Sequence, residues 1–242
     1  MANLEYNAKT GEPFLRLAPP FSNFIITPPR IEDDVDASVE IMNDPFVYKW
    51  MGRTTPYNAE LAERWIRTVK VETDAAVEKL KGATEPGSAL SACPVRHMRE
   101  ELADGKTVFV GDVGLVRSGW TEIVDAEERA RLVAANAARL AGDPEIVWHI
   151  GYYLAPGQQG RGLMTAAVKR MIEFGVAWMN VKYIKSSAFE GNHGSLKVQQ
   201  KNGFVEVDKL VDHVQVGEER RTLVLMEWRA GTRVDDTDLA YG

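Results

Sequence analysis

The spacing of hydrophobic positions changes character at one place, and the rest of the chain is arranged around it. Across residues 145 to 154 Val, Ile, Trp and Tyr dominate, a composition suited to a pleated, half-buried strand. Ala155 and Pro156 then stop the pairing, because proline brings no backbone donor. Three glycines, Gly157, Gly160 and Gly162, follow within six residues. From Leu163 the period becomes three or four, with Met164, Val168, Met171, Gly175 and Trp178 on one helix face. The pattern predicts strand, glycine loop, helix.

Residues 1 to 20 mix polar residues with proline and glycine and are expected to form an arm with little structure of its own. A short strand is predicted at 23 to 27. After Pro28-Pro29, the acids Glu32, Asp33 and Asp34 open a helix whose dipole favours them there. Val35, Val39, Ile41 and Met42 give its apolar stripe, and Asn43-Asp44-Pro45 ends it. Residues 46 to 57 form an aromatic-rich connection. Asn58 caps a long helix running to about Leu80, with Leu61, Trp65, Ile66, Val69 and Val77 as apolar positions. A loop at 82 to 90 precedes two strands, 91 to 99 and 107 to 117, joined by the hairpin signal Ala103-Asp104-Gly105-Lys106. Residues 121 to 140 are rich in Ala, Leu, Arg and Glu and read as a helix. After the central unit come a strand at 181 to 188, a short helix at 195 to 202 closed by Gly203, and a strand pair at 204 to 210 and 222 to 228. The polar stretch 231 to 242 reads as a loose tail. No internal repeat or low-complexity tract interrupts this order, so one α/β domain over residues 21 to 230 accounts for nearly the whole chain.

Composition narrows the classes. At 242 residues the chain is long enough to bury a sizeable core, and 45% hydrophobic with 26% charged residues is ordinary for a globular protein. A net charge of −6 argues against nucleic acid as the main partner and is compatible with a cationic amine. The single Cys93 excludes an internal disulfide and fits a reducing compartment. No apolar run approaches ~20 residues, and residues 1 to 13 lack the features of a secretory signal or transit peptide. A cytoplasmic protein without a membrane partner is the expectation, as monomer or homodimer.

The loop carries the candidate chemistry. Glycines let a backbone approach a ligand closely, and a helix N-terminus favours an anion, so a phosphate or pyrophosphate is the natural guest, with Arg161 beside it. The same glycines serve equally well as a plain strand-to-helix turn. Two familiar phosphate motifs do not fit. A P-loop needs Lys followed by Ser or Thr after its last glycine, where this chain has Leu163-Met164. The dinucleotide fingerprint needs glycines at its first, third and sixth positions, and here they stand at the first, fourth and sixth.

The run Gly157-Gln158-Gln159-Gly160-Arg161-Gly162 resembles the acyl-CoA-binding loop of the GNAT superfamily of N-acetyltransferases, of the form Gln/Arg-x-x-Gly-x-Gly/Ala, with Gly157 departing from its first position. A second stretch, Asn192-His193-Gly194-Ser195 followed by Gly203-Phe204, is similar to the family's Asn-x-x-Ser/Ala…Gly-Phe run. The first two helices with Asn43-Asp44-Pro45 between them look most like the branch of ribosomal-protein N-terminal acetyltransferases. Over roughly residues 22 to 229 the resemblance implies a mixed, mostly antiparallel central sheet flanked by helices, with 121 to 140 as an inserted helix. It further implies acetyl-CoA as cofactor. Residues 158 to 163 (Gln158, Gln159, Gly160, Arg161, Gly162 and Leu163) with Thr165 would hold the pyrophosphate. The backbone N–H of Tyr153 or Leu154 would polarise the thioester. Asn192 and Ser195 would touch the pantetheine or phosphate, although Asn192 also fits a simple helix cap. Many members place an acidic tyrosine seven residues after that asparagine. Here the position is Gln199, which cannot act as an acid, and the ribosomal-protein branch commonly lacks the tyrosine too.

Acetyl transfer to an amine needs a proton acceptor and donors for the oxyanion. With a period of two, Glu145, Val147, His149, Gly151 and Tyr153 share one strand face, which puts Glu145 and His149 on the same side ~13 Å apart. Both are candidate bases, Glu145 because the family uses an early strand glutamate and His149 for its intrinsic basicity. The bland alternatives are a solvated carboxylate and a hydrogen-bonded sheet histidine. His97, His193 and His213 show no metal-ligand spacing, and Cys93 lies far from any motif, so no metal and no thiol nucleophile are expected. The reading is an acetyl-CoA-dependent N-acetyltransferase using direct transfer to a small-molecule or peptide amine. A different acyl donor and a non-catalytic acyl-CoA-binding module are the alternatives.

Overall fold

A computed structural model describes residues 4–52, 56–81, 87 and 90–231; the tail from 232 and most of the loop expected at 82 to 90 lie outside them. Nine strands form one sheet in the order β1-β2-β3-β4-β5-β6-β7-β9-β8. They are β1 (Glu5–Tyr6), β2 (Pro13–Arg16), β3 (Phe24–Thr27), β4 (His97–Glu101), β5 (Thr107–Arg117), β6 (Val147–Leu154), β7 (Tyr183–Phe189), β8 (Val205–Val216) and β9 (Glu219–Arg229). Every pairing is antiparallel except β6 with β7, whose connection is a helix. The mixed, mostly antiparallel sheet expected for the chain is what forms.

Helices cover both faces. α5 (Leu163–Met179) and α6 (His193–Lys201) lie on one, where Trp148, Ile150 and Leu154 of the central strand, with Ile146 just before it, meet Ala167, Val168, Met171 and Phe174. The other face carries α1 (Ile31–Asn43), the single turn α2 (Pro45–Tyr48) and α3 (Ala59–Leu80), packed through Ile41, Met42, Val47, Tyr57 and Ala62 on Phe109. Asn58 caps α3 as expected, its side chain accepting from Leu61 N–H at 2.9 Å. Among the described residues no helix is long and apolar enough to cross a membrane.

The structure departs from the sequence reading in three elements outside the site. The arm expected at 1 to 20 instead supplies β1 and β2, because Leu15 and Leu17 alternate into the core and are almost wholly buried. The strand expected from residue 91 begins only at His97. The aromatic connection after residue 45 contains the turn α2, with Pro45 at its start and Asp44 accepting from Phe46 N–H. In the region read as an insertion, α4 (Ala126–Ala137) forms behind its cap Asp125. Cys93 is buried, and burial pushes its thiol up to about 12.

Candidate functional site

The central feature is a break in the sheet. β6 and β7 pair through only Val147 with Tyr183, Trp148 with Ile184 and His149 with Lys185; beyond these the strands diverge. β6 stays paired to β5 as far as Leu154, and β7 to β9 along its whole length. The gap therefore leaves the β7-facing edge of β6 without a strand partner from residue 150 onward.

Register decides which groups face that gap. Ser118 N–H donates to Val147 C=O and Ala155 N–H to Val110 C=O, at 2.9 and 2.8 Å. In an antiparallel ladder the hydrogen-bonded couples alternate, so His149, Gly151 and Tyr153 turn their backbone groups to β5. Tyr153 stands opposite Asp112 in such a couple. Its N–H is turned away from the gap, while those of Tyr152 and Leu154 face it. Of the two N–H groups expected to polarise a thioester, only that of Leu154 faces the gap, beside that of Tyr152. Ile150 C=O receives the Ser186 hydroxyl at 2.9 Å, and Leu154 C=O receives Gln159 Nε2 at 2.9 Å.

The gap opens toward the glycine loop. Pro156–Gln158 make one 3-10 turn, after which Gly160 and Gly162 take φ of +74° and +83°, a left-handed conformation that a side chain would strain. Gly162 is the N-cap of α5. The N–H groups of Leu163, Met164 and Thr165 begin the helix without intrahelical acceptors and point at the loop. Gln158 and Gln159 brace the loop, donating to Glu100 Oε2 and Leu154 C=O at 2.9 Å each. Arg161 is exposed, its guanidinium on Gln158 Oε1. Backbone donors, with one arginine beside them, thus stand at the loop end of the gap.

Across the gap, α6 presents its first turn. Asn192 Oδ1 accepts from Ser195 N–H at 3.2 Å, so the helix-cap reading holds. The Ser195 hydroxyl lies 3.1 Å from Tyr152 Oη and 3.3 Å from Gln199 Nε2. Gln199 is buried and its Oε1 has no hydrogen-bond partner. Tyr152, absent from the sequence-predicted site, thereby joins β6 to α6. Its phenol is raised by burial, with Ser195 and Gln199 opposing.

On the opposite face Glu145 and His149 part company. Asp143 C=O and carboxylate accept from Ile146 and Glu145 N–H, a turn that starts β6 at Val147 and leaves Glu145 outside it. Glu145 has a side chain 72% exposed and pairs with Arg139 at 2.7 Å. The shared-face expectation fails for it, since alternation requires a residue inside the strand. His149 is partly buried at the closed end of the gap, its Cε1 3.3 Å from where a Cβ on Gly151 would sit. Burial chiefly, and Lys185 in addition, hold its imidazole below the ordinary value, with Glu122 opposing.

Beneath α1 runs a buried polar row. Asp34 accepts from Arg99 Nη2 at 2.5 Å and Arg30 N–H at 2.7 Å, and its Oδ2 is 2.5 Å from His97 Nδ1. Asp112 takes both Nε and Nη2 of Arg96 at 2.8 and 2.9 Å, and lies 3.3 Å from His97 Nε2. Asp34, read as a helix-start acid, is in fact wholly buried. Burial pushes the Asp34 carboxyl up, but His97 and Arg99 outweigh it and hold it low. Among the described residues no group of three or more His, Cys, Asp or Glu is placed to hold a metal ion.

The geometry has relatives. Solved structures of the same fold include a ribosomal-protein-S5-alanine acetyltransferase from Vibrio fischeri (TM-score 0.57, 15% identity, 89% of this chain and 97% of that one). RimJ from Mycobacterium smegmatis, in complex with CoA-disulfide, matches at TM-score 0.54 and 17% identity over 96% and 90% of the two chains. Spermidine N-acetyltransferase from Vibrio cholerae, with CoA and spermine, matches at TM-score 0.53 and 13% identity over 86% and 96%. No protein of curated function matches the chain. A profile described as an acetyltransferase (GNAT) domain matches residues 23–205, from β3 to the first residue of β8. With most of its length covered, the chain belongs to the GNAT acetyltransferase family.

Proposed function

We propose that the protein transfers an acetyl group from acetyl-CoA directly to a primary amine within a ternary complex. The observation that carries this is the gap between β6 and β7, which opens after three residue pairs and ends on a glycine loop at a helix start. A pantetheine arm is an extended chain with two amides, suited to pair with the gap-facing N–H of Leu154 as an added strand would. The pyrophosphate suits the N–H groups at the start of α5 with Arg161 beside it. Two of the structural relatives hold CoA or CoA-disulfide, which supports the same donor here.

In the reaction the amine lone pair attacks the thioester carbonyl, the C–S bond breaks and the thiolate leaves. The Tyr152 N–H, farther from the pyrophosphate end than that of Leu154, is the gap-facing donor left for the carbonyl oxygen. His149 is the base: it lies in the last couple before the gap, and burial holds its imidazole below the ordinary value, toward the neutral form that accepts a proton. Gln199 supplies no acid, so the Tyr152 and Ser195 hydroxyls on the α6 side are the O–H groups available to the thiolate. The acceptor is an amine, of a peptide or a small molecule.

Calorimetric titration with acetyl-CoA, coenzyme A and ATP, repeated on Gly160→Trp, tests the donor site. Thiol release with an alanine-initiated peptide and with spermidine then tests transfer. Micromolar acetyl-CoA binding, lost in the variant and absent for ATP, is expected. Wild-type protein that does not bind acetyl-CoA would overturn the proposal.

A further inference from the structure

The segment between β5 and β6 is fastened at three places, two on the sheet and one on the end of α5. The Asn136 carboxamide accepts from Val147 N–H and donates to Val147 C=O at 3.0 and 2.9 Å, as a neighbouring strand's peptide would. Arg117 caps the end of α4, donating to Asn136 C=O and to Arg139 C=O. Asn180, at the end of α5, donates to Gly142 C=O at 2.7 Å. A connection that merely tolerated extra length would need none of these, because lengthening a surface loop costs little. So held, the segment lays the Glu122 carboxylate on the Lys185 ammonium, with both side chains mostly buried. Lys185 is the register partner of His149, on the same face, in the last couple before β6 and β7 diverge.

We propose that the inserted segment is part of the active site, and that Glu122 is a positioning residue for His149, acting with Lys185 as a charge pair at the closed end of the gap. The inference rests on the reading of His149 as the base. A half-buried imidazole becomes cationic only if its surroundings stabilise the charge, and Glu122 is the anion brought there by the insertion. From β7, Lys185 opposes it and Tyr183 adds a phenol bound to Glu227; from β9, Arg229 pairs with that same Glu227. From β5 the residue opposite His149 is the uncharged Val116. Glu122 therefore helps the base take a proton during attack, and Lys185 limits how long it keeps it.

The chain carries four histidines, so imidazole ring signals can be followed by NMR through a pH titration, with His149 assigned by its loss in His149→Gln. Glu122→Gln is expected to lower the His149 midpoint by about one pH unit, and Lys185→Met to raise it by a similar amount. The acid limb of kcat/KM, measured with acetyl-CoA and whichever of the alanine peptide or spermidine is accepted, should move the same way. Should Glu122→Gln fail to fold, Lys185→Met reads the same pair from its other side. A His149 midpoint unmoved by the substitutions that fold would overturn the inference. If the midpoints move as expected while His149→Gln retains full transfer, the base reading falls and the charge pair stands.

Discussion

Asp112→Asn tests the buried row beneath α1 with little change of shape. Asp112 is almost fully buried and takes two guanidinium donors from Arg96, with His97 Nε2 at 3.3 Å. Burial favours its neutral form, but Arg96 and His97 outweigh that and bring the carboxyl down to about 2 from a usual 3.8. That difference corresponds to about 2 kcal/mol in favour of the ionised group in the fold. Asparagine removes the charge and also leaves Arg96 buried without its anion, so the expected loss is about 3–5 kcal/mol. Against a total of about 5–15 kcal/mol this is a large fraction. Urea unfolding followed by tryptophan fluorescence, with six tryptophans as reporters, measures it. Because the folded value is depressed, the Asp112 contribution is complete above its unfolded value near 4 and is lost as pH falls toward 2. Wild-type protein should lose stability across that window, and Asp112→Asn should show a shallower acid dependence, with Asp34 supplying what remains. A variant within about 1 kcal/mol of wild type, or one with an unchanged acid slope, would refute the reasoning.

Three further outcomes are expected. Gly162→Val places a β-branched residue at φ +83° at the start of α5, and acetyl-CoA affinity by calorimetry should fall at least about tenfold; undiminished binding would show that the loop does not hold the cofactor. Cys93, buried and pushed up to about 12, should resist a thiol reagent in the native protein and react once unfolded, whereas fast native labelling would contradict its burial. Asn136→Ala orphans Val147 N–H and should cost about 1–3 kcal/mol in urea unfolding, a loss that a loosely attached segment would not show.

What could be read from the sequence was whatever local periodicity and motif encode. The strand-loop-helix unit around Gly157 to Gly162, the cap at Asn58 and the helical character of residues 126 to 137 follow from spacing and composition that tertiary contacts reinforce. What escaped depends on partners far away in sequence. Asp34 has the address of a dipole acid, yet meets His97 and Arg99 more than sixty residues on. Tyr152 lies between two residues of the opposite face, and only the position of α6 gives its hydroxyl a partner. Glu145 was lost for a local reason, since the Asp143 turn starts the strand later than its composition suggests. His149 does lie within the strand that alternation was read from, and Lys185 and Glu122 are seen beside it only once β7 and the insertion are in place.

The early divergence of β6 and β7 also has a mechanical meaning. From β3 onward every other seam of the sheet carries four or more residue couples, but this one carries three. The sheet is therefore two plates, β1 to β6 and β7 with β9 and β8, joined by a short weld and by the helices laid across one side. A plate joined this way twists most easily about its weld, and amides along the open lip exchange with solvent sooner than those in the paired interior. An extended molecule lodged in the lip would lengthen the weld, stiffening the joint between the plates and slowing that exchange.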